Sequence, residues 1–179
     1  MAAGPTQNTW PNGLSSGSRG RAPQTWVDAA PFRAHVAHLM AAAGLSVEAV
    51  ALLAGVHTKA VARLIAGQDT GRPAARRIKP ELARCLLQVR SSDVRALRCR
   101  VVGAHTVTGR VRLLRTSGWS EARLAATLGV DRPSLAGLLE GSATTCTALV
   151  AVRAAAAVLT VGAAGSQHLG VVAIGRDVA

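Results

Sequence analysis

Apolar residues recur every three or four positions along much of this chain, a spacing that places them on one face of an amphipathic helix. The first such run starts near Trp26 and stops at Gly44, a residue type that commonly ends helices. Similar runs cover Pro80–Val89 and about Thr147–Thr160. The pattern therefore predicts an all-α protein. In the first run the apolar positions are Phe32, Val36, Leu39, Met40 and Ala43.

The central part of the chain contains an internal repeat. A shift of 74 residues aligns segment 44–67 with segment 118–141 without a gap, and eight of the 24 positions are identical. Leu39 lies over Leu113 under the same shift, so each copy includes a preceding helix. One small helical domain is therefore predicted to occur twice. The identical pairs are Gly44/Gly118, Ser46/Ser120, Ala51/Ala125, Gly55/Gly129, Val56/Val130, Ala62/Ala136, Leu64/Leu138 and Gly67/Gly141.

Each copy fits the pattern of a helix-turn-helix. This motif joins two short helices through a tight turn, which favours a glycine that tolerates positive φ. Gly55 and Gly129 occupy the turn, and Ser46 and Ser120 are candidate N-caps of the first helix in each pair. A pair of plain helical hairpins used for protein interaction is the alternative. The residues expected between the helices are Ala51, Val50, Ala54, Val56, Val61 and Leu64 in the first copy, and Ala125, Leu124, Leu128, Val130, Leu135 and Leu138 in the second.

The net charge favours nucleic acid as a partner. The chain carries 21 Lys and Arg residues against 9 Asp and Glu, a formal net charge of +12. Residues 72–115, here called the central basic band, hold twelve basic and two acidic residues, a net charge of +10. Aromatic residues make up only 2% of the chain. This scarcity argues against a protein that binds RNA or single strands by stacking bases on aromatic side chains.

The two copies resemble helix-turn-helix domains of the phage repressor and Cro type. Their tandem, arginine-rich arrangement is similar to that of helix-turn-helix regulators of actinobacteria and their phages. The resemblance covers roughly residues 26–160 and rests on WVDAAPFRAHVAHLM (26–40) and GRVRLLRTSGWSEARLAATLGV (109–130). It implies that the second helix of each pair enters the major groove of double-stranded DNA by its N-terminal end. The implied base contacts are His57, Thr58, Lys59 and Arg63 in the first copy, and Arg132 and Ser134 in the second.

The two copies are not equally suited to base contact. Lys59 and Arg63 are four residues apart and so share one helix face, and an arginine can hold a guanine edge with two hydrogen bonds. The second copy starts its matching helix with Asp131, which caps the helix but repels phosphate. Pro133 and Gly137 offer no hydrogen-bonding side chain. We therefore expect the first copy to supply most of the sequence preference.

Basic residues beside both helix pairs are candidate phosphate contacts. Such contacts fix the register of a protein on DNA and supply much of its affinity. A mobile loop and a solvated helix face are the alternatives. The candidates are Arg72, Arg76, Arg77 and Lys79 after the first copy, and Arg110, Arg112 and Arg115 before the second.

Composition along the chain predicts five segments. The stretch at the N-terminus is rich in Gly, Ser, Pro and Asn, which is typical of disorder. A late uncharged stretch, 154–175, is long enough for a membrane span, but its low hydrophobicity argues against insertion. The segments are a disordered arm (1–24), helix-turn-helix domain 1 (25–92), a basic connector (93–105), helix-turn-helix domain 2 (106–161) and an apolar, glycine-containing tail (162–179).

The sequence predicts a binding protein and not an enzyme. His35 and His38 are three residues apart, but no carboxylate or cysteine pattern accompanies them. Cys85, Cys99 and Cys146 are too scattered for a zinc site. We expect no metal or cofactor, a cytoplasmic, nucleoid-associated location, and a monomer or weak dimer.

Double-stranded DNA is the expected partner, bound in a sequence-directed way as by a repressor-like transcriptional regulator. RNA polymerase or another regulator is a further candidate partner. Two alternatives stay open. One is an adaptor of the transcription machinery, and the other is a nucleoid-type binder with low sequence preference.

Overall fold

The computed structural model describes residues 25–66 and 73–172, with side chains through Gly162. The predicted disordered arm (1–24), the candidate residue Arg72 and the end of the predicted tail (173–179) lie outside this part of the chain. The described residues are mostly helical, which confirms the all-α class, and short strands accompany the helices.

The elements follow the order strand, three helices, strand, helix, and this order occurs twice. We call the first set unit one (25–89) and the second set unit two (101–172). Unit one contains β1 (Val27–Asp28), α1 (Ala30–Ala43), α2 (Val47–Ala54), α3 (Thr58–Ile65), β2 (Arg77–Ile78) and α4 (Pro80–Gln88). Unit two contains β3 (Val101–Gly103), α6 (His105–Thr116), α7 (Glu121–Leu128), α8 (Arg132–Glu140), β4 (Thr145–Thr147) and α9 (Ala148–Val172).

A further helix, α5 (Ser91–Cys99), joins the two units. The expected basic connector, 93–105, thus contains most of α5 and all of β3. Within α5 only Val94 is buried, and the helix packs against α1 and α9. The connection between the units is therefore ordered structure that contacts both of them.

A short antiparallel ladder ties each unit together. β1 pairs with β2 through Val27 and Ile78, and β3 pairs with β4 through Val102 and Cys146. Each ladder brings the start of a unit beside the chain that leads into its fourth helix. The hydrophobic pattern did not predict these strands, because two or three residues are too few to show an alternation of period two.

Caps and turns set the helix boundaries where the sequence predicts them. The hydroxyl oxygens of Ser46 and Ser120 accept hydrogen bonds from backbone N–H groups in the first turns of α2 and α7, at 3.2 and 3.3 Å. Gly55 and Gly129 follow these helices with φ of 63° and 67°. Both values lie in the left-handed region that favours glycine. The pairs α2–α3 and α7–α8 are therefore joined by short glycine turns.

The apolar residues predicted between the helices form two hydrophobic cores, one in each unit. Most are buried, whereas Val56, Ala125 and Val130 are half-buried. The buried members are Val50, Ala51, Ala54, Val61 and Leu64 in unit one, and Leu124, Leu128, Leu135 and Leu138 in unit two.

The last helix belongs to both cores. Leu149 and Ala156 of α9 lie in the core of unit one, whereas Val150, Ala154 and Ala157 lie in the core of unit two. Accordingly, α9 packs against α6 and α7 and also against α2 and α5. The prediction of a helix over about 147–160 was too short, because the glycines of the tail lower helix propensity but do not end this helix. The units therefore share a helix.

Candidate nucleic-acid interface

The helix α3 has one buried face and one basic, exposed face. Val61 and Leu64 are fully buried against the core of unit one. Lys59 and Arg63 are exposed on the other side of the helix, as their spacing predicts. No acidic residue lies in the first turn of α3. The helix therefore presents two cations and a positive helix N-terminus to solvent.

The start of α3 involves the other two residues predicted to contact bases in this unit. His57 is the N-cap residue, and its Nδ1 accepts a hydrogen bond from Lys59 N at 3.2 Å. The ring is exposed, and because its Nδ1 accepts, its proton is on Nε2, which can donate a further hydrogen bond. Thr58 is half-buried. Thus His57 caps α3 in the structure, and its base contact stays a prediction.

An arginine that sequence analysis did not single out holds the end of α3. Arg33, half-buried on α1, donates from Nε to the Leu64 carbonyl oxygen at 3.0 Å and from Nη2 to the Ala75 carbonyl oxygen at 2.9 Å. These bonds place α3 and the chain before β2 at fixed positions on α1. The sequence indication was a charged residue between Phe32 and Val36, close to the apolar face of the helix.

Three cations meet beside α3. Arg63, Arg77 and Lys79 line an open cavity of about 860 Å³, together with the half-exposed Trp26, and none of the described residues that line it is acidic. Arg77 belongs to β2, and Lys79 is the residue at the N-cap position of α4, so the ladder and the fourth helix fix their backbones. Arg76 is exposed next to them but does not line the cavity. The predicted base contact and phosphate contacts of unit one thus form one basic surface.

The matching surface on unit two is less basic. Asp131 caps α8, its Oδ1 accepting from Ser134 N at 3.1 Å. Hydrogen bonds from the side chain and backbone N–H of Ser134 lower the pKa of Asp131, so this carboxylate stays charged at neutral pH. Arg132 and Ser134 are both exposed. One exposed cation therefore stands beside one carboxylate at the start of α8.

Two of the three arginines predicted to contact phosphate from α6 have partners within the protein. Arg112 donates from Nε to the Leu139 carbonyl oxygen at 2.7 Å and from Nη2 to that of Glu140 at 2.9 Å. Arg115 pairs with Glu121 at 3.2 Å. Arg110 is half-buried. Contact of Arg112 or Arg115 with phosphate would therefore compete with bonds that support α8 and α7.

The remaining described cations of the central basic band lie on α4, on α5 and at the two ends of α5. Five arginines here are exposed, and sequence analysis assigned no role to them. Arg98 donates from Nη2 to the Ala42 carbonyl oxygen, near the end of α1, at 2.9 Å. These residues are Arg84, Arg90, Arg95, Arg98 and Arg100.

Among residues 25–66 and 73–172, no group of three or more His, Cys, Asp or Glu side chains is arranged to hold a metal ion. His35, one of the two histidines considered as metal ligands, has a structural contact. Its Nε2 lies 3.0 Å from the Val89 carbonyl oxygen, which links α1 to the end of α4.

Comparison with protein-family models, curated proteins and solved structures finds no match for this chain. In the part of the chain that the structure describes, no single helix is long and apolar enough to cross a membrane. The pair α1 and α2, bent by 111°, meets that test jointly on length and composition alone.

Proposed function

We propose that this protein binds double-stranded DNA in a sequence-directed way and acts as a transcriptional regulator built from two helix-turn-helix units. The observation that carries the proposal is the exposed pair Lys59 and Arg63 on α3, beside a cavity that Arg77 and Lys79 also line and whose lining among the described residues includes no acid. A helix that is apolar on one face and basic on the other suits a major groove flanked by phosphates.

In this proposal α3 is the recognition helix. Arg63 donates two hydrogen bonds to a guanine edge, and Lys59 contacts a neighbouring base or phosphate. Arg76, Arg77 and Lys79 contact the phosphates along the groove and fix the register of the helix. Arg33 acts indirectly, because its bonds to the Leu64 and Ala75 carbonyl oxygens hold α3 and the cation-bearing segment together.

Unit two contributes mainly affinity. Arg132 is available for a base or a phosphate, but Asp131 next to it repels the DNA backbone. Arg110 and the exposed arginines of α4 and α5 are further candidates for phosphate contact. The expected division is therefore base contact by unit one and backbone contact by unit two.

A binding assay on duplex DNA tests this proposal. Sites are first selected from a random library with the full chain, and affinity for the preferred and random duplexes is then measured against salt. If six or more phosphates are neutralised, affinity should fall on the order of a thousandfold between ~50 and ~200 mM salt. A nearly flat titration would exclude DNA binding as the function.

Substitution of Arg63 separates a sequence-directed regulator from a binder with low preference. Arg63→Ala should weaken binding to the preferred site by about 1–3 kcal/mol and relax the preference at one or two base pairs. Its effect on random DNA should be much smaller. Arg95→Ala, which removes another exposed arginine, this one from α5, is the control for lost charge. Equal losses on both duplexes for both variants would favour the nucleoid-type alternative.

A further inference from the structure

The two units are joined by a half-buried arginine at the ends of two helices. Arg153 of α9 donates from Nη1 to the Leu128 carbonyl oxygen at 2.9 Å and from Nη2 to the Ala43 carbonyl oxygen at 2.7 Å. Leu128 ends α7 in unit two and Ala43 ends α1 in unit one. A cation at a helix C-terminus is favourable because the last carbonyl groups carry partial negative charge. One guanidinium therefore holds both units.

The joint uses different surfaces on the two units. We call the contact of α9 with α2 and α5 the joint between the units. Arg153 of α9 adds the bond to the Ala43 carbonyl oxygen at the end of α1. In unit one the counterpart of α9 is α4, which packs on α1 and α2 of its own unit and leaves Leu87 57% exposed. Leu149 of α9, by contrast, is 6% exposed in the core of unit one.

The first helices of the two helix pairs, α2 and α7, also present different surfaces. Ala49 of α2 is fully buried and Leu53 is half-buried, whereas Arg123 and Thr127 occupy the matching positions of α7 and are exposed. A second apolar face thus exists on α2 and is missing on α7. The joint is heterologous, and no two-fold axis relates the units as it would in a symmetric dimer.

This joint leaves both predicted recognition helices accessible. The main packing partners of α3 are α1 and α2, and those of α8 are α6 and α7. Lys59, Arg63, Arg132 and Ser134 are exposed in the joined arrangement. A single chain therefore carries two unlike DNA-facing helices at a fixed relative orientation.

From these observations we infer that one chain binds a non-palindromic duplex, with unit one over the preferred sequence and unit two on one flank only. The inference depends on the proposed function and adds the symmetry and stoichiometry of the target. Operator palindromy mirrors the two-fold symmetry of the protein that binds it. A heterologous joint between unlike surfaces predicts a target without that symmetry.

The test uses the full chain and duplexes that carry the selected sequence. Base pairs are added to one flank or the other, and affinity and the number of chains per duplex are measured. Extension towards unit two should strengthen binding about tenfold or more, because a second contact on the same chain is intramolecular. Extension of the other flank should change affinity by less than about twofold, and one chain should bind each duplex.

Two variants examine the joint itself. Arg153→Ala should reduce the gain from extending the flank occupied by unit two, because the second unit loses its fixed orientation. Arg123→Ala is the matched control, since it removes the same charge from unit two, where Arg123 lies over the Trp119 ring at 3.7 Å from its centroid. This control should keep the full gain.

The outcomes separate the inference from the proposed function. A palindromic preferred site bound by two chains, or an equal gain from extension of either flank, overturns the inference and leaves DNA binding standing. Absence of binding to any duplex overturns both. These measurements on the unsubstituted chain decide the question even if Arg153→Ala does not fold.

Discussion

At the residue scale, the turn glycines of the two units look equivalent in sequence but have different surroundings. Gly55 and Gly129 have nearly the same positive φ, 63° and 67°. A Cβ atom at Gly55 would meet nothing within 4 Å, whereas one at Gly129 would overlap the Arg153 guanidinium. The second glycine therefore serves both the turn and the joint between the units.

Alanine at these two positions should have unequal effects. Gly55→Ala carries the cost of a left-handed alanine, about 1–2 kcal/mol of the free energy of unfolding. Gly129→Ala carries the same cost and also displaces Arg153 from the Leu128 and Ala43 carbonyl oxygens. Hydrogen bonds to charged groups contribute about 1.5–3 kcal/mol each when intact. We expect Gly129→Ala to be at least about 1 kcal/mol worse, measured by urea denaturation.

Equal losses for the two alanine variants would show that Arg153 adjusts without cost and that the joint does not depend on it. Addition of Arg153→Ala to Gly129→Ala provides the internal check. Once the guanidinium is absent, the extra cost of Gly129→Ala over Gly55→Ala should disappear, because residues in contact give non-additive effects.

At the scale of the elements, an arginine from the first helix of each unit holds the end of the third helix. Arg33 of α1 does so for α3, and Arg112 of α6 does so for α8. Arg33 and Arg112 are not at matching positions of the repeat. The end of the third helix is therefore bonded by an arginine in both units, but from a different position of the first helix. In both units the third helix is attached to the first helix by charge-assisted hydrogen bonds.

Arg112→Ala should therefore lower stability as well as any affinity for DNA. Loss of its bonds to the Leu139 and Glu140 carbonyl oxygens should reduce the free energy of unfolding by about 1–2 kcal/mol. Arg110→Ala removes the same charge from the same helix and should change stability by less than about 0.5 kcal/mol. Chemical denaturation without DNA distinguishes the two. A stable Arg112→Ala variant that only binds DNA more weakly would assign Arg112 to phosphate contact alone.

Sequence patterns predicted the local features of these elements. The cap at Ser46 and the turn at Gly55 depend on neighbouring residues, and the exposure of Lys59 and Arg63 follows from helical spacing. The bonds of Arg33 could not be predicted in this way. Its acceptors are 31 and 42 residues away in sequence, so the pairing depends on how α1 and α3 pack.

The same distinction explains the missed elements. The strands β1 to β4 exist because distant segments meet, and no segment by itself shows a strand pattern. Most of α5 was interpreted as a basic connector because this short segment carries two arginines and shows no apolar stripe, and only Val94 of it is buried. In α9 the apolar residues spread around the helix instead of along one stripe, since two cores cover it.

At the scale of the whole molecule, α9 makes the two cores depend on each other. The side chains it gives to unit one and those it gives to unit two alternate along the same turns of helix. Loss of either core would expose one face of α9 and remove the packing that holds the helix against the other unit. Each unit alone is also small, and domains of this size bury a modest fraction of their surface. The arrangement favours unfolding of both units together.

We therefore expect one cooperative unfolding transition for the full chain. Leu39 in unit one and Leu124 in unit two are each almost fully buried, at 1% and 0% exposure. Leu39→Ala and Leu124→Ala should each cost about 2–5 kcal/mol, and each should lower the midpoint of the same single transition. Calorimetry provides the measurement, since the calorimetric and van't Hoff enthalpies agree only when unfolding is two-state. Two separate transitions, each shifted only by the substitution in its own unit, would contradict a shared core and would show that α9 does not couple the units.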